Sequence, residues 1–417
     1  MKHGAEGPRR AGDSPRRRAL TNVGGEVDTS GAPEEALALA RALDVSPEEE
    51  EDAPDRAHVH GFHAYPARTH PVTARRLVEA FAGEAGPVLD PFCGSGTVLV
   101  EAMLAGRDAI GTDLNPLGVM LARAKTYPRT PAQTAALVAA AEGVAAFADA
   151  RRKKKAGATR RLPREDVALF APHVLLELDS IRAGVEGCED GPRGALELVL
   201  SAILVKVGRK ASDTAGHQVA RRIAAGYPAR LFVKKTEELC RRLAELEKLL
   251  PPGTPAARVA LDDATRLRSV PAATIDAVVT SPPYVATYDY LAHHGLRLRW
   301  LGLDAREFET GETGSRRRYA RMLAPEARAA WTRELGAILK SLARVCRKGA
   351  RVVLLVADSA VQEEALRADA ILSSLAPGAG FEPIARASQR RPHFHGPTAR
   401  AFQDTPRAEH AIALEKR

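Results

Sequence analysis

Cysteine is scarce in this chain: Cys93, Cys188, Cys240 and Cys346 are the only four among 417 residues. They lie far apart, with no Cys-x-x-Cys pair. A zinc site or a disulfide framework is therefore not expected, no metal is assigned, and a reducing cytoplasm fits. Long apolar runs are missing too. None approaches the ~20 residues a membrane span requires, so no membrane partner is expected. Met1-Lys2-His3-Gly4 and Pro8-Arg9-Arg10 carry positive charge with no apolar stretch behind them, so no secretory signal is expected either. Internal repeats are absent. What is present is an ordinary hydrophobic fraction of 45% and a formal charge of +9. That charge suits a protein that meets a polyanion, and equally a solvated basic surface, because net charge speaks to association rather than fold.

Residues 1–56 read as disordered: they are rich in Gly, Pro, Arg and Glu, with an acidic run from Glu48 to Asp52 and one short helix possible within Pro33–Leu43. From Phe62 the texture changes. Val72–Ala82 has the spacing of an amphipathic helix, with Leu77, Val78 and Phe81 on one side. Pro87–Asp90 is a short buried strand, followed by the glycine loop Asp90-Pro91-Phe92-Cys93-Gly94-Ser95-Gly96-Thr97. A helix from Thr97 to Ala105 stops at Gly106, and a second strand, Asp108–Thr112, ends at Asp113. Strand, glycine loop, helix, strand and acid make the first half of a dinucleotide-like fold. The alternation then stops, and residues 127–256 read as long helices. Strands return at Ala257–Leu261, Ile275–Thr280, Ala350–Ala357, Phe381–Ala385 and His410–Leu414. The expected architecture is α/β: one mostly parallel sheet with a helical insertion in a crossover.

Gly94 and Gly96 allow a sharp turn and close approach to a ligand. The helix behind them opens with free amides. The loop lacks the G-x-G-x-x-G spacing of dinucleotide binders, and Asp90 stands ahead of it, where an acid engages a cation rather than a pyrophosphate. The ammonium of S-adenosyl-L-methionine is such a cation. Asp113, at a strand end, is placed to accept both ribose hydroxyls. Phe92, Ser95, Thr97, Leu114, Asn115 and Pro116 border the same site. Asp263 is preferred for the adenine amino group, with Asp262 as runner-up. For each acid the plain alternative is a helix cap or a surface carboxylate.

Downstream, the apolar run Ile275–Thr280 meets Ser281-Pro282-Pro283-Tyr284. Two prolines fix the backbone and remove two amide donors, leaving carbonyl acceptors. An exocyclic NH2 group can donate one hydrogen to the Ser281 side chain and the other to the Pro282 carbonyl, while Tyr284 stacks on the base. A duplex base must flip out to reach such a corner. No cysteine stands in this motif, which argues against carbon-5 cytosine methylation, where a cysteine must add to the ring. Cys93 reads as a packing residue.

At these residues the chain resembles the amino-methyltransferases that modify DNA at cytosine N4 or adenine N6. Asp90–Thr97 is similar to their donor motif, Ser281–Tyr284 to their catalytic motif, and Phe62–Arg68 to the upstream segment that closes over the methionine end of the donor. The resemblance covers roughly 60–130 and 255–417. It implies a class I, Rossmann-like fold with a seven-stranded sheet, S-adenosyl-L-methionine as cofactor, a nucleic-acid partner, and a site-specific DNA methyltransferase of the restriction–modification kind. In that family a serine opening the Pro-Pro motif leans toward cytosine N4. Two features depart from it. Many members with Ser-Pro-Pro-Tyr place it before the glycine motif, and the insertion falls where the family does not usually put its target-recognition region. A related group, the tRNA guanine-N2 methyltransferases, has the glycine motif first and usually Asp-Pro-Pro-Tyr. An RNA methyltransferase, or a catalytically idle nucleic-acid-binding protein, are the alternatives.

The chain thus divides into a disordered 1–56, a donor half 57–126, a helical insertion 127–256 with possible substrate recognition, and an acceptor half 257–417. In the insertion, Arg151–Lys155 with Arg160, Arg161 and Arg164 form a basic linker. Ser212, Thr214, Arg221, Arg222, Arg230, Lys234 and Lys235 suggest a phosphate-contacting face or a solvated one. Tyr288, Asp289 and Tyr290 either line a base pocket or pack. Arg390, Arg391, His393 and His395 form a basic cluster, and two histidines at i, i+2 are not a metal site by themselves.

Overall fold

The structure is a computed structural model that describes residues 25–46, 49, 53–83, 86–127, 130–213, 217–391 and 396–417. Thr214, His393, His395 and most of the acidic run Glu48–Asp52 lie outside the described residues. The main sheet has eight strands: β1 (Val27–Gly31), β2 (Val88–Asp90), β3 (Ala109–Asp113), β4 (Arg258–Leu261), β5 (Ile275–Thr280), β6 (Cys346–Ala357), β9 (Phe381–Arg390) and β10 (Ala408–Lys416), while β7 (Ser359–Val361) and β8 (Glu364–Leu366) form a separate hairpin. Their order is β1-β9-β10-β6-β5-β2-β3-β4. The run from β4 to β6 is parallel, and β10 is antiparallel to both β6 and β9.

The eighth strand corrects the sequence reading. Residues 27–43 are ordered, not disordered: β1 pairs antiparallel with β9, and the helix Pro33–Leu43 buries Ala36, Leu39, Ala42 and Leu43. Val-Asp-Thr-Ser-Gly has no apolar alternation to betray a strand, since β1 is an exposed edge held by backbone pairing.

The parallel strands register so that Asp90 faces Gly111 across β2 and β3, and Asp113 faces Leu261 across β3 and β4. Their carboxyl ends therefore share one rim, where ligands bind in open α/β sheets. Among its described residues the insertion holds five helices: Pro131–Lys153, Arg164–Leu169, Pro172–Glu186, Asp190–Val207 and Tyr227–Glu247. Its apolar faces (Leu137, Leu178, Ile203, Phe232 and Leu243 among them) share one core with Leu117, Leu121 and Trp300 of the sheet-bearing body. Charges finish the joint. Arg297 donates to both oxygens of Asp213, at 3.1 and 2.8 Å, in a buried pair. The buried Glu177 accepts the amides of Gly226 and Ala229 at 2.8 and 2.9 Å, capping the helix Tyr227–Glu247. Among the described residues no helix is long and apolar enough to cross a membrane.

Candidate functional site

A cleft opens at the rim where β2, β3, β4 and β5 end. It brings together Asp90, Phe92, Gly94, Ser95, Thr97, Asp113, Asn115 and Asp263 with Ser281 and Pro283. Two motifs about 190 residues apart in sequence thus share one wall, joined where Thr280 Oγ1 donates to Asp90 Oδ1 at 2.7 Å. Gly96, Pro282 and Tyr284 adjoin these residues in the chain and are not among those lining the cleft.

Asp90 is 3% exposed. Burial pushes its carboxyl from 3.8 up to about 7, opposed by the bonds from Thr280 and the Phe92 amide. Asp113 accepts the Gly94 amide at 2.7 Å and the Asn115 amide at 2.8 Å, and burial raises it to about 6. The glycines are required by shape. Gly94 has φ +47° and a Cβ there would lie 3.1 Å from the Tyr65 ring. Gly96 has φ +81°, and a Cβ would meet the Ala122 backbone at 3.1 Å. Cys93 is buried and its thiol is pushed well above its ordinary value, chiefly by desolvation. That state is inert toward addition chemistry.

Asn115 lines the cleft but its side chain is committed elsewhere. It caps the helix Pro116–Lys125 through Leu117 N at 3.1 Å, donates to Tyr65 Oη at 3.2 Å and meets His294 Nδ1 at 2.9 Å. The two candidate adenine acids differ in setting. Asp262 accepts both the amide and the hydroxyl of Ser269 at 2.6 Å and stays off the cleft wall. Asp263 lines the cleft, with one oxygen on Thr265.

Tyr284 departs from the expected geometry. Its hydroxyl donates to Glu409 Oε1 at 2.7 Å and also faces the Ser281 side chain. Glu409, on β10, pairs in turn with Arg391 Nε at 3.0 Å, with the two side chains 4% and 1% exposed. The hydroxyl is held by this network, and Tyr284 is not among the residues that line the cleft. Of the expected base-pocket residues, Tyr290 lines the cleft, stacked on Tyr65 with centroids 6.3 Å apart. Asp289 instead caps the helix Tyr290–Leu301 and pairs with Arg317 at 2.7 Å.

The residues missed in the sequence are Phe308, Gly311, Glu312 and Thr313, which cover the cleft from a segment of no recognisable pattern. Backbone bonds recruit them: Ala286 N donates to Gly314 O and Arg316 N to Tyr288 O, both at 2.9 Å. Buried Glu312 accepts the Tyr290 amide at 2.7 Å. Tyr65, Ala67, Arg68 and Thr69 complete the wall from the upstream segment.

This sheet order and rim site define the class I methyltransferase fold, which is Rossmann-like. S-adenosyl-L-methionine is the cofactor of that class, and the cleft fits it: acids stand at two strand ends, and the buried Ser95 hydroxyl lines the cleft with no protein partner.

Comparison with known proteins narrows the class. Residues 39–122 match the N6_N4_Mtase family, described as DNA methylase. The chain is 42% identical over 77 residues to the type II methyltransferase M.MvaI of Kocuria varians, covering 18% of this chain and 17% of that protein. It is 35% identical over 68 residues to the type II methyltransferase M.MjaII of Methanocaldococcus jannaschii, covering 16% and 13%. The matched region thus spans less than a fifth of either relative. Among solved structures, TrmN from Thermus thermophilus aligns with 14% identity and a TM-score of 0.30 over 83% of this chain and 49% of that one. A geranyl diphosphate methyltransferase aligns with 9% identity and a TM-score of 0.36 over 84% and 80%.

Proposed function

We propose that this chain is an S-adenosylmethionine-dependent methyltransferase acting on an exocyclic amino group of a DNA base, with cytosine N4 favoured over adenine N6. The observation that carries the reading is the single wall shared by the donor loop and the Ser281–Pro283 corner, fastened by Thr280 and Asp90. The bound cofactor supplies an electrophilic methyl group on sulfur. Asp90 would hold its ammonium side, Asp113 its ribose, and Asp263 its adenine edge. At the corner, Ser281 Oγ and the Pro282 carbonyl accept the two amino hydrogens, which draws the nitrogen lone pair out of conjugation. Tyr284, anchored by Glu409, steadies the corner that receives the base. Positioning and fixed dipoles carry the rate, since the methylated amine is acidic enough to lose its proton to water or through Ser281. A duplex substrate enters by base flipping.

One feature of the chain favours a second reading. The glycine loop precedes the Pro-Pro corner, the order of the tRNA guanine-N2 enzymes. Transfer of labelled methyl to duplex DNA, single-stranded DNA and bulk tRNA, followed by nucleoside analysis, separates the two. Label found only as methylguanine in tRNA refutes the DNA reading.

A further inference from the structure

A second cavity lies on the insertion, where the end of the helix Asp190–Val207 meets the start of Tyr227–Glu247. Lys206, Arg230, Lys234 and Lys235 line it, and Glu238 is its one carboxylate. Tyr227, Arg230 and Lys234 recur at i, i+3 and i+7, so the helix presents them on one face. Lys235 is only 7% exposed. Its ammonium donates to Glu238, which also accepts Arg242 Nε at 3.0 Å, so one acid answers two buried or half-buried cations. Lys206 abuts Lys235, and its ammonium is held below the ordinary lysine range, first by burial and then by that neighbour. Arg221 keeps Lys206 in place by donating to the carbonyls of Val205 and Lys206 at 2.9 and 2.5 Å. Three other cations of the insertion are occupied with the fold. Arg151 donates to Ser180 and to the Gly157 carbonyl, while Arg152 and Lys153 pair with Asp149. This cavity gathers four cations around a single carboxylate.

We propose that this cavity takes a phosphate of the DNA backbone, anchoring the substrate on the insertion while a base enters the methyl-transfer cleft. The inference rests on the proposed function for the identity of the polyanion. An oxyanion between Lys206 and Lys235 replaces a like-charge contact with two charge-assisted hydrogen bonds. Arg221 then serves the site as a positioning residue and not as a phosphate ligand.

The test is equilibrium binding of a short duplex DNA over a salt series, comparing the wild type with Lys206→Gln/Lys234→Gln. Arg268→Gln/Lys340→Gln, on exposed cations of the acceptor half, matches the change in charge. Binding of S-adenosylmethionine by calorimetry reports the integrity of the fold. The expected result is weaker DNA binding by the first variant and a salt slope shallower by roughly 0.9 per lost contact. Donor affinity stays unchanged, and the control variant keeps close to the wild-type slope. A wild-type slope in the Lys206/Lys234 variant overturns the site while methylation of DNA by the wild type leaves the function standing. Wild-type protein that binds and methylates tRNA but not DNA overturns the DNA commitment and the function together.

Discussion

Asp90 carries the most telling titration in the molecule. Its carboxyl is raised from 3.8 to about 7 by burial. A raised acid holds its proton longer in the fold than in the open chain, so its contribution to stability is full below about 4 and is lost as pH rises to about 7. A cation bound beside it reverses the sign by favouring the carboxylate. Calorimetry of S-adenosylmethionine binding in buffers of different ionisation enthalpy should therefore show proton release near pH 6 and little near pH 8.5. Affinity should rise with pH and level off above about 7. Proton release that is the same at both pH values, or absent at both, would dissociate Asp90 from the donor. At the other motif, Glu409→Gln should loosen Tyr284 and leave Arg391 buried without its charge partner. A fall in turnover of about tenfold or more, with donor affinity kept, is expected from a loss of about 1.4 kcal/mol or more in transition-state placement. Unchanged turnover would mean that the pinning of Tyr284 has no bearing on the reaction.

The elements explain why some of the site was legible and some was not. The glycine loop and the double-proline corner are written as residue types at fixed spacing, because only those types make the turns: Gly96 sits at φ +81° against the Ala122 backbone. Gly96→Ala should accordingly lower stability by about 1–3 kcal/mol, read from a urea melt. The edge strand β1 and the Phe308–Thr313 cover left no such trace. Both are recruited through backbone hydrogen bonds, which any sequence can make. The role of Glu409 was hidden for another reason. It reaches Tyr284 from a strand 125 positions away, and an acid alternating on a strand has no signature until the strand is paired. Glu177 is similar: its cap on the helix Tyr227–Glu247 joins residues 49 and 52 positions apart. Glu177→Ala leaves two buried amides without an acceptor and should cost about 1–3 kcal/mol per amide lost, seen as a lower melting temperature. A melting temperature equal to the wild type would mean that water replaces the cap.

At the scale of the whole molecule, the insertion is built into the catalytic body. It shares the core around Leu117, Leu121 and Trp300, and the buried Arg297–Asp213 pair ties it to the helix that follows the acceptor corner. Breaking that pair with Asp213→Ala leaves a buried guanidinium without its carboxylate, with Ser201 still accepting from it, and should cost about 3–5 kcal/mol in chemical denaturation. A loss of under about 1 kcal/mol would show the joint to be carried by apolar contact alone. Two cavities of the molecule contrast, one lined by acids at strand ends and one by cations on helices. The first suits a cationic methyl donor, and the second an anionic polymer. The decisive measurement is the fate of labelled methyl from S-adenosylmethionine offered to duplex DNA, with wild-type protein and with Ser281→Ala/Tyr284→Ala run side by side. Label released as N4-methylcytosine by the wild type and absent from the variant is the expected result. Turnover that survives in the variant, or label found only in tRNA, would contradict it.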